Sequence, residues 1–149
     1  MKKILMTAAA ICAALTIASC GAKEVDVTSL ALSLVNEGQY SEQLNEVGTE
    51  VTEKRYGLDS DIIEVCSAYK GTNAVTDEVA VFKTTDTDAV NEKVQAYLEN
   101  QIKSYESYRP SEVPKLNDAV LYTYNDVVIF CVSEDSDKTQ QIISEYTEK

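Results

Sequence analysis

The chain has 149 residues, 25 acidic against 13 basic side chains and no histidine, for a net charge of −12 at neutral pH. So acidic a surface repels phosphate and anionic headgroups, which excludes a nucleic-acid partner and a basic membrane patch. Without histidine the usual proton shuttle near neutral pH and the commonest transition-metal ligand are gone, so neither a metal nor another cofactor is expected. Apolar residues make up 44% and charges are spread along the chain, with only two prolines and five glycines. That composition reads as a folded domain rather than an acidic tail.

Lys2 and Lys3 precede an uncharged apolar run from Ile4 to Ile17. A positive end followed by a short apolar run is the pattern of a secretory signal, and the run is too short for a comfortable membrane span. It leads into Ile17-Ala18-Ser19-Cys20, which looks like a bacterial lipobox. In such proteins a diacylglycerol is attached to the cysteine sulfur and the chain is cut before that cysteine. The alternatives are an ordinary secreted protein with an incidental Cys20 or a retained membrane helix. The lipobox reading makes 1–19 a signal peptide and 20–26 a lipidated cysteine with a short tether. It leaves 27–149 as a single domain, enough chain for one real core. The expected location is the outer face of the cell membrane, held by acyl chains. Cys12 leaves with the leader. Cys66 and Cys131 remain in a compartment that permits a disulfide. They are expected either to bridge or to stay as two buried thiols.

In the domain, Val27, Leu30, Ala31, Leu34 and Val35 fall on one helical face, with Asp26 or Thr28 as N-cap and Gly38 past the end. A second helix is predicted over 41–56, burying Leu44, Val47 and Val51 and ending at Gly57 in a left-handed conformation. Gly48 weakens it by roughly 1 kcal/mol relative to alanine. Residues 62–70 read as a strand with Ile63, Val65 and Tyr69 on one face. A polar loop leads to a second strand over 78–84, antiparallel to the first, with both faces partly apolar. The longest helix is predicted over 86–108, with the stripe Val90, Val94, Tyr97, Leu98, Ile102 and Tyr105. Arg109-Pro110 ends it. Strands over 118–124 and 127–133 form a hairpin across Asn125-Asp126, expected as a type I′ turn. A last helix over 136–148 buries Ile142, Ile143 and Tyr146. The order α-α-β-β-α-β-β-α predicts an α+β two-layer sandwich: an antiparallel four-stranded sheet from two hairpins, with helices on one face.

Tyr56-Gly57-Leu58, Thr76-Asp77-Glu78-Val79-Ala80-Val81-Phe82-Lys83, Tyr108-Arg109-Pro110 and the closing hairpin resemble the bacterial lipoproteins carrying domain of unknown function 4358. The resemblance implies an exported, lipid-anchored domain in a Gram-positive host. It supplies no activity, substrate or catalytic residue.

Other patterns are weaker. Ser67-Ala68-Tyr69-Lys70 spells the S-x-x-K of penicillin-interactive enzymes, which needs one helical turn to bring Lys beside Ser. On a strand the two point to opposite faces. Asp59-Ser60-Asp61, Asp86-Thr87-Asp88 and Glu134-Asp135-Ser136-Asp137 lack the glycine and twelfth-position Glu of a calcium loop and read as caps and solvated loops. Glu78 reads as an edge or loop-facing carboxylate bonded to a lysine, in preference to a buried general acid. Nine tyrosines accompany two phenylalanines. Most are expected in the core with the hydroxyl at the surface, a minority lining a recognition surface. No catalytic residue is assigned. The favoured function is a non-enzymatic binding or accessory module whose partner is another envelope protein. The alternatives are a carboxylate enzyme acting on cell-wall glycan and a small-ligand binder.

Overall fold

A computed structural model describes residues 23–148. Residues 1–19, expected as a signal peptide and including Cys12, and Cys20, expected to carry the lipid, lie outside the described residues. The elements are α1 (Val27–Glu37), β1 (Asn45–Val47), α2 (Thr49–Tyr56), β2 (Ile63–Lys70), β3 (Glu78–Thr84), α3 (Thr87–Tyr108), α4 (Val113–Asn117), β4 (Val120–Tyr124), β5 (Val127–Val132) and α5 (Ser136–Thr147). Among the described residues five helices flank one five-stranded sheet in the order β1-β2-β3-β5-β4, every neighbouring pair antiparallel.

The α+β class and the two hairpins are as expected. The number of strands and of layers is not. The fifth strand and a second helical layer have one cause each, and both are visible in the chain. β3 sends Val79 and Val81 to one face and Ala80 and Phe82 to the other, and all four are fully buried. β5 does the same, with Val127, Ile129 and Cys131 opposed to Val128, Phe130 and Val132. Strands apolar on both faces need cover on both, since fully burying one such side chain contributes about 1.5–3 kcal/mol. Leu30, Ala31 and Leu34 of α1 cover one face with Ile142 and Ile143 of α5. The other is covered by Tyr56 of α2, by Val90, Val94, Tyr97, Leu98 and Tyr105 of α3, and by Leu116 of α4. Helices on one face only would have left Phe82 and Phe130 in water.

The helix predicted over 41–56 is replaced by β1 and the shorter α2. Gly48 sits outside the helix as its N-cap, and Asn45, Glu46 and Val47 pair with Lys70, Tyr69 and Ala68. Backbone pairing at an open sheet edge outweighs a helix interrupted by glycine. Leu44 is buried as expected, but Val51 is 54% exposed, and Thr52 and Tyr56 face the core instead. Gly57 takes φ +66 and ends α2 in the left-handed conformation. In β2 the register shifts between Ile63 and Val65. The bulge turns Ile63 toward the α3 layer and leaves Val65 exposed, so the two do not share a face.

α3 begins on Asp86, whose carboxylate accepts the Ala89 N–H, and ends at Arg109. Its apolar stripe is buried as predicted, with Ile102 at the margin. A 3₁₀ turn (Pro110–Glu112) and α4 follow, in a stretch for which no element was predicted. The hairpin turn falls on Asn125-Asp126, but only Asn125 has positive φ (+52), so the type I′ geometry is not formed. Val25, assigned to the tether, is buried with α1 and belongs to the domain. No helix among the described residues is long and apolar enough to cross a membrane.

Candidate functional site

Polar residues converge at one end of the sheet, where β2 and β5 finish and β1 and β3 begin. Thr76, Asp77 and Glu78 lead into β3 there, and all three are buried. Successive residues of an extended chain point to opposite sides, so Asp77 and Glu78 enter two separate networks.

Glu78 faces the α2–α3 layer. Its Oε1 accepts the Tyr56 hydroxyl at 2.6 Å and lies 3.6 Å from the Arg55 guanidinium. Its Oε2 accepts the Tyr97 hydroxyl at 2.8 Å and the Lys70 ammonium at 3.2 Å. Lys70 is the direct cross-strand partner of Glu78, which fixes the pair by register. A buried carboxylate costs several kcal/mol unless paired and hydrogen-bonded, and here both oxygens are occupied. Burial, and then the Glu78 charge, push the Tyr56 and Tyr97 hydroxyls far above the ordinary tyrosine range. They therefore stay protonated and donate. The rings stack inward, Tyr56 lying 4.4 Å from Tyr97 and edge-on to Phe82 at 5.5 Å.

Asp77 enters the second network, centred on Lys115 of α4. The Lys115 ammonium reaches Asp77 Oδ1 and Glu134 Oε1 at 2.8 Å, the Ser41 hydroxyl at 2.8 Å and Glu112 Oε2 at 3.1 Å. Burial alone would lower the lysine, but the hydrogen bonds to Asp77, Glu134 and Glu112 outweigh it and raise it. Asp77 Oδ2 also accepts the Ser41 N–H at 2.7 Å. Burial would raise Glu112, but the Thr76 N–H and hydroxyl and the Lys115 ammonium hold it below the ordinary range. Lys115 and the Ser41 hydroxyl lower Glu134 likewise. The 71–77 loop is pinned from above. The Tyr105 hydroxyl donates to the Asn73 and Val75 carbonyls, and Arg109 to the Ala74 carbonyl at 2.6 Å.

Tyr56, Thr76, Asp77, Glu78 and Arg109, quoted above from separate motifs, thus meet at one end of the sheet. Glu78 is bonded to a lysine as expected, but it is buried rather than loop-facing. Tyr97 and Tyr105 are core residues whose hydroxyls point to interior partners, not to the surface. Tyr108 is 70% exposed. Sequence reading missed Glu112 and Lys115 altogether; their i, i+3 spacing beside Pro114 was the available signal.

Ser67 and Lys70 do point to opposite faces, Lys70 being committed to Glu78. Asp59, Asp86 and Asp135 are N-caps, and Glu134 goes to Lys115. Among the described residues no acidic or cysteine cluster is placed to hold a metal ion. Cys66 and Cys131 are free thiols on opposite faces, with β3 between their strands. Two strand spacings are about 9.6 Å, beyond the roughly 7 Å Cα limit for a disulfide, so of the two alternatives the cysteines are separate thiols. Burial pushes both thiols up to about 11.

An all-antiparallel five-stranded sheet between two helical layers, with a buried ionic knot at one end, defines the class of domain. Residues 36–133 match the family described as domain of unknown function (DUF4358), and the chain belongs to that family. No curated protein and no solved structure matches the chain.

Proposed function

We propose that this chain is a lipoprotein on the outer face of the cell membrane, anchored through diacylglycerol on Cys20, and that its domain is a non-enzymatic binding or accessory module for another envelope protein. Ile17-Ala18-Ser19-Cys20 behind two lysines and an apolar run is the observation that carries the reading. Only four residues separate Cys20 from Val25, the first core side chain. At about 3.5 Å per extended residue, the domain then sits within roughly 20 Å of its anchor, so a partner must also lie near the membrane. The buried carboxylates support the non-enzymatic part. Glu78, Asp77 and Glu112 are each tied to a cation and to further donors, which makes the sheet end a fastening rather than a reactive centre. Growth with radiolabelled palmitate tests the anchor. The wild type takes up label and moves to the membrane fraction, and Cys20→Ala does neither. Equal labelling of the two removes the proposal.

A further inference from the structure

The sheet has two edges, and they are unlike. β1 is three residues long, with Asn45 and Glu46 exposed, a short charged edge of the kind that discourages added strands. β4 has five residues, Val120-Leu121-Tyr122-Thr123-Tyr124, with an unbroken register and neither charge nor proline. Among the described residues no strand pairs with its outer side. In an antiparallel ladder alternate residues turn both backbone groups away from the partner strand. The two-residue loop closes on the Tyr124–Val127 pair, so Leu121 and Thr123 are the outward ones.

Beside this edge, between β4 and α5, lies a groove of about 470 Å³. Val120 and Ile143 give it an apolar floor, Tyr122 stands 40% exposed along it, and Gln141, Ser144 and Glu148 form its polar rim. Asp118 precedes β4, Glu145 is exposed on α5 and Glu148 just past its end, and the chain carries −12 overall.

We propose that the groove takes an extended segment of a partner protein as an added strand on β4, with apolar side chains at alternate positions in the groove and basic side chains at its ends. Main-chain pairing to an open edge supplies affinity, and pockets for alternate side chains supply selectivity. Charge complementarity picks the occupant. A basic segment is drawn to Glu148 on the rim and to the net negative charge of the chain around it, whereas a second copy would bring two such chains together. The inference rests on the reading of the domain as a binding module. Palmitate labelling is blind to β4, so failure here and failure of the anchor are separate results.

The test titrates the full chain, held in mild detergent, with a synthetic peptide of about ten residues that alternates valine with threonine and carries lysine at both ends. Fluorescence anisotropy reads binding. The lysine peptide binds, and its counterpart with glutamate ends binds at least about tenfold more weakly. Thr123→Pro removes one outward N–H at an exposed edge position, where proline is tolerated, and weakens binding about tenfold or more. If circular dichroism shows that this variant does not fold, Gln141→Trp fills the groove from an exposed position and blocks binding instead. No binding of the lysine peptide, equal binding of the two peptides, or full binding by either folded variant overturns the proposal. So does a dimer in sedimentation that Thr123→Pro or Gln141→Trp dissolves, which would make a second copy the occupant.

Discussion

Lys115→Met removes the cation at the centre of the sheet-end knot and keeps most of its volume. Three carboxylates then lose their shared partner. Glu134 is half exposed and turns to water at little cost. Asp77 is fully buried and keeps only the Ser41 N–H, while Glu112 keeps the two Thr76 donors. Removing one partner of a buried ion pair costs about 3–5 kcal/mol, and the surviving donors place this case near 3. For the roughly 126 described residues the unfolding entropy is about 0.26 kcal/mol/K, so Tm falls by about 11 °C near pH 7. The loss depends on pH with a definite sign. In the wild type Glu112 and Glu134 are held below the ordinary range. Their contribution is complete above the unfolded value of about 4.3 and is lost as pH falls through the folded values. The variant lacks that lysine, and protonating its stranded carboxylates relieves it, so the gap between the two proteins narrows below about pH 5. Thermal unfolding followed by circular dichroism from about pH 7 to about pH 4.5 reads both effects. A loss under about 1 kcal/mol near neutrality, or a gap that stays constant across the range, refutes the reasoning.

Two further outcomes follow from the packing. Burial raises Tyr56, Tyr97 and Tyr40 far above ordinary phenols, so the folded protein at about pH 11 ionises fewer than its nine tyrosines. Ultraviolet difference titration against the unfolded chain measures this, and nine ionised while folded contradicts the inward hydroxyls. Leu116→Ala in the α2–α3–α4 layer costs about 2–5 kcal/mol and Ile142→Val in the α1–α5 layer about 0.5–1.5. Because the sheet separates them, urea unfolding of the double variant gives the sum within about 0.5 kcal/mol, and a larger coupling means that the two cores are not distinct.

Periodicity made the long elements readable. The stripe from Val90 to Tyr105 needed no tertiary information, and neither did the Asn125-Asp126 hairpin position. The second helical layer was also written in the chain. Ala80 and Phe82 alternate with Val79 and Val81, and residues 127–132 are apolar without interruption, which marks strands covered twice. What could not be read locally was settled by partners distant in sequence. β1 exists because Lys70, Tyr69 and Ala68 offer it a ladder. Glu78 is buried because Tyr56 and Tyr97, on two different helices, point their hydroxyls at it. Lys115 matters only once α4 brings it over Asp77 and Glu134, 38 and 19 positions away in sequence terms that no window spans.

The two ends of this architecture are built on opposite principles. At the sheet end, the consecutive carboxylates Asp77 and Glu78, just before and at the start of β3, bind α4 and the α2–α3 layer, so strand register and helix placement are fixed together. A one-residue slip of β3 would send Glu78 away from its tyrosines and Asp77 away from Lys115 at once. Such a penalty falls on every misregistered alternative, which makes the knot a device for specifying one fold even where its net stabilisation is small. At the β4 edge there is no such fastening, only uncharged backbone and a groove under α5. An added strand on β4 pairs with an element whose own register is locked through β5 and β3 to the knot. The rigid end therefore presents the open edge in one conformation, so a partner segment need order only itself on binding.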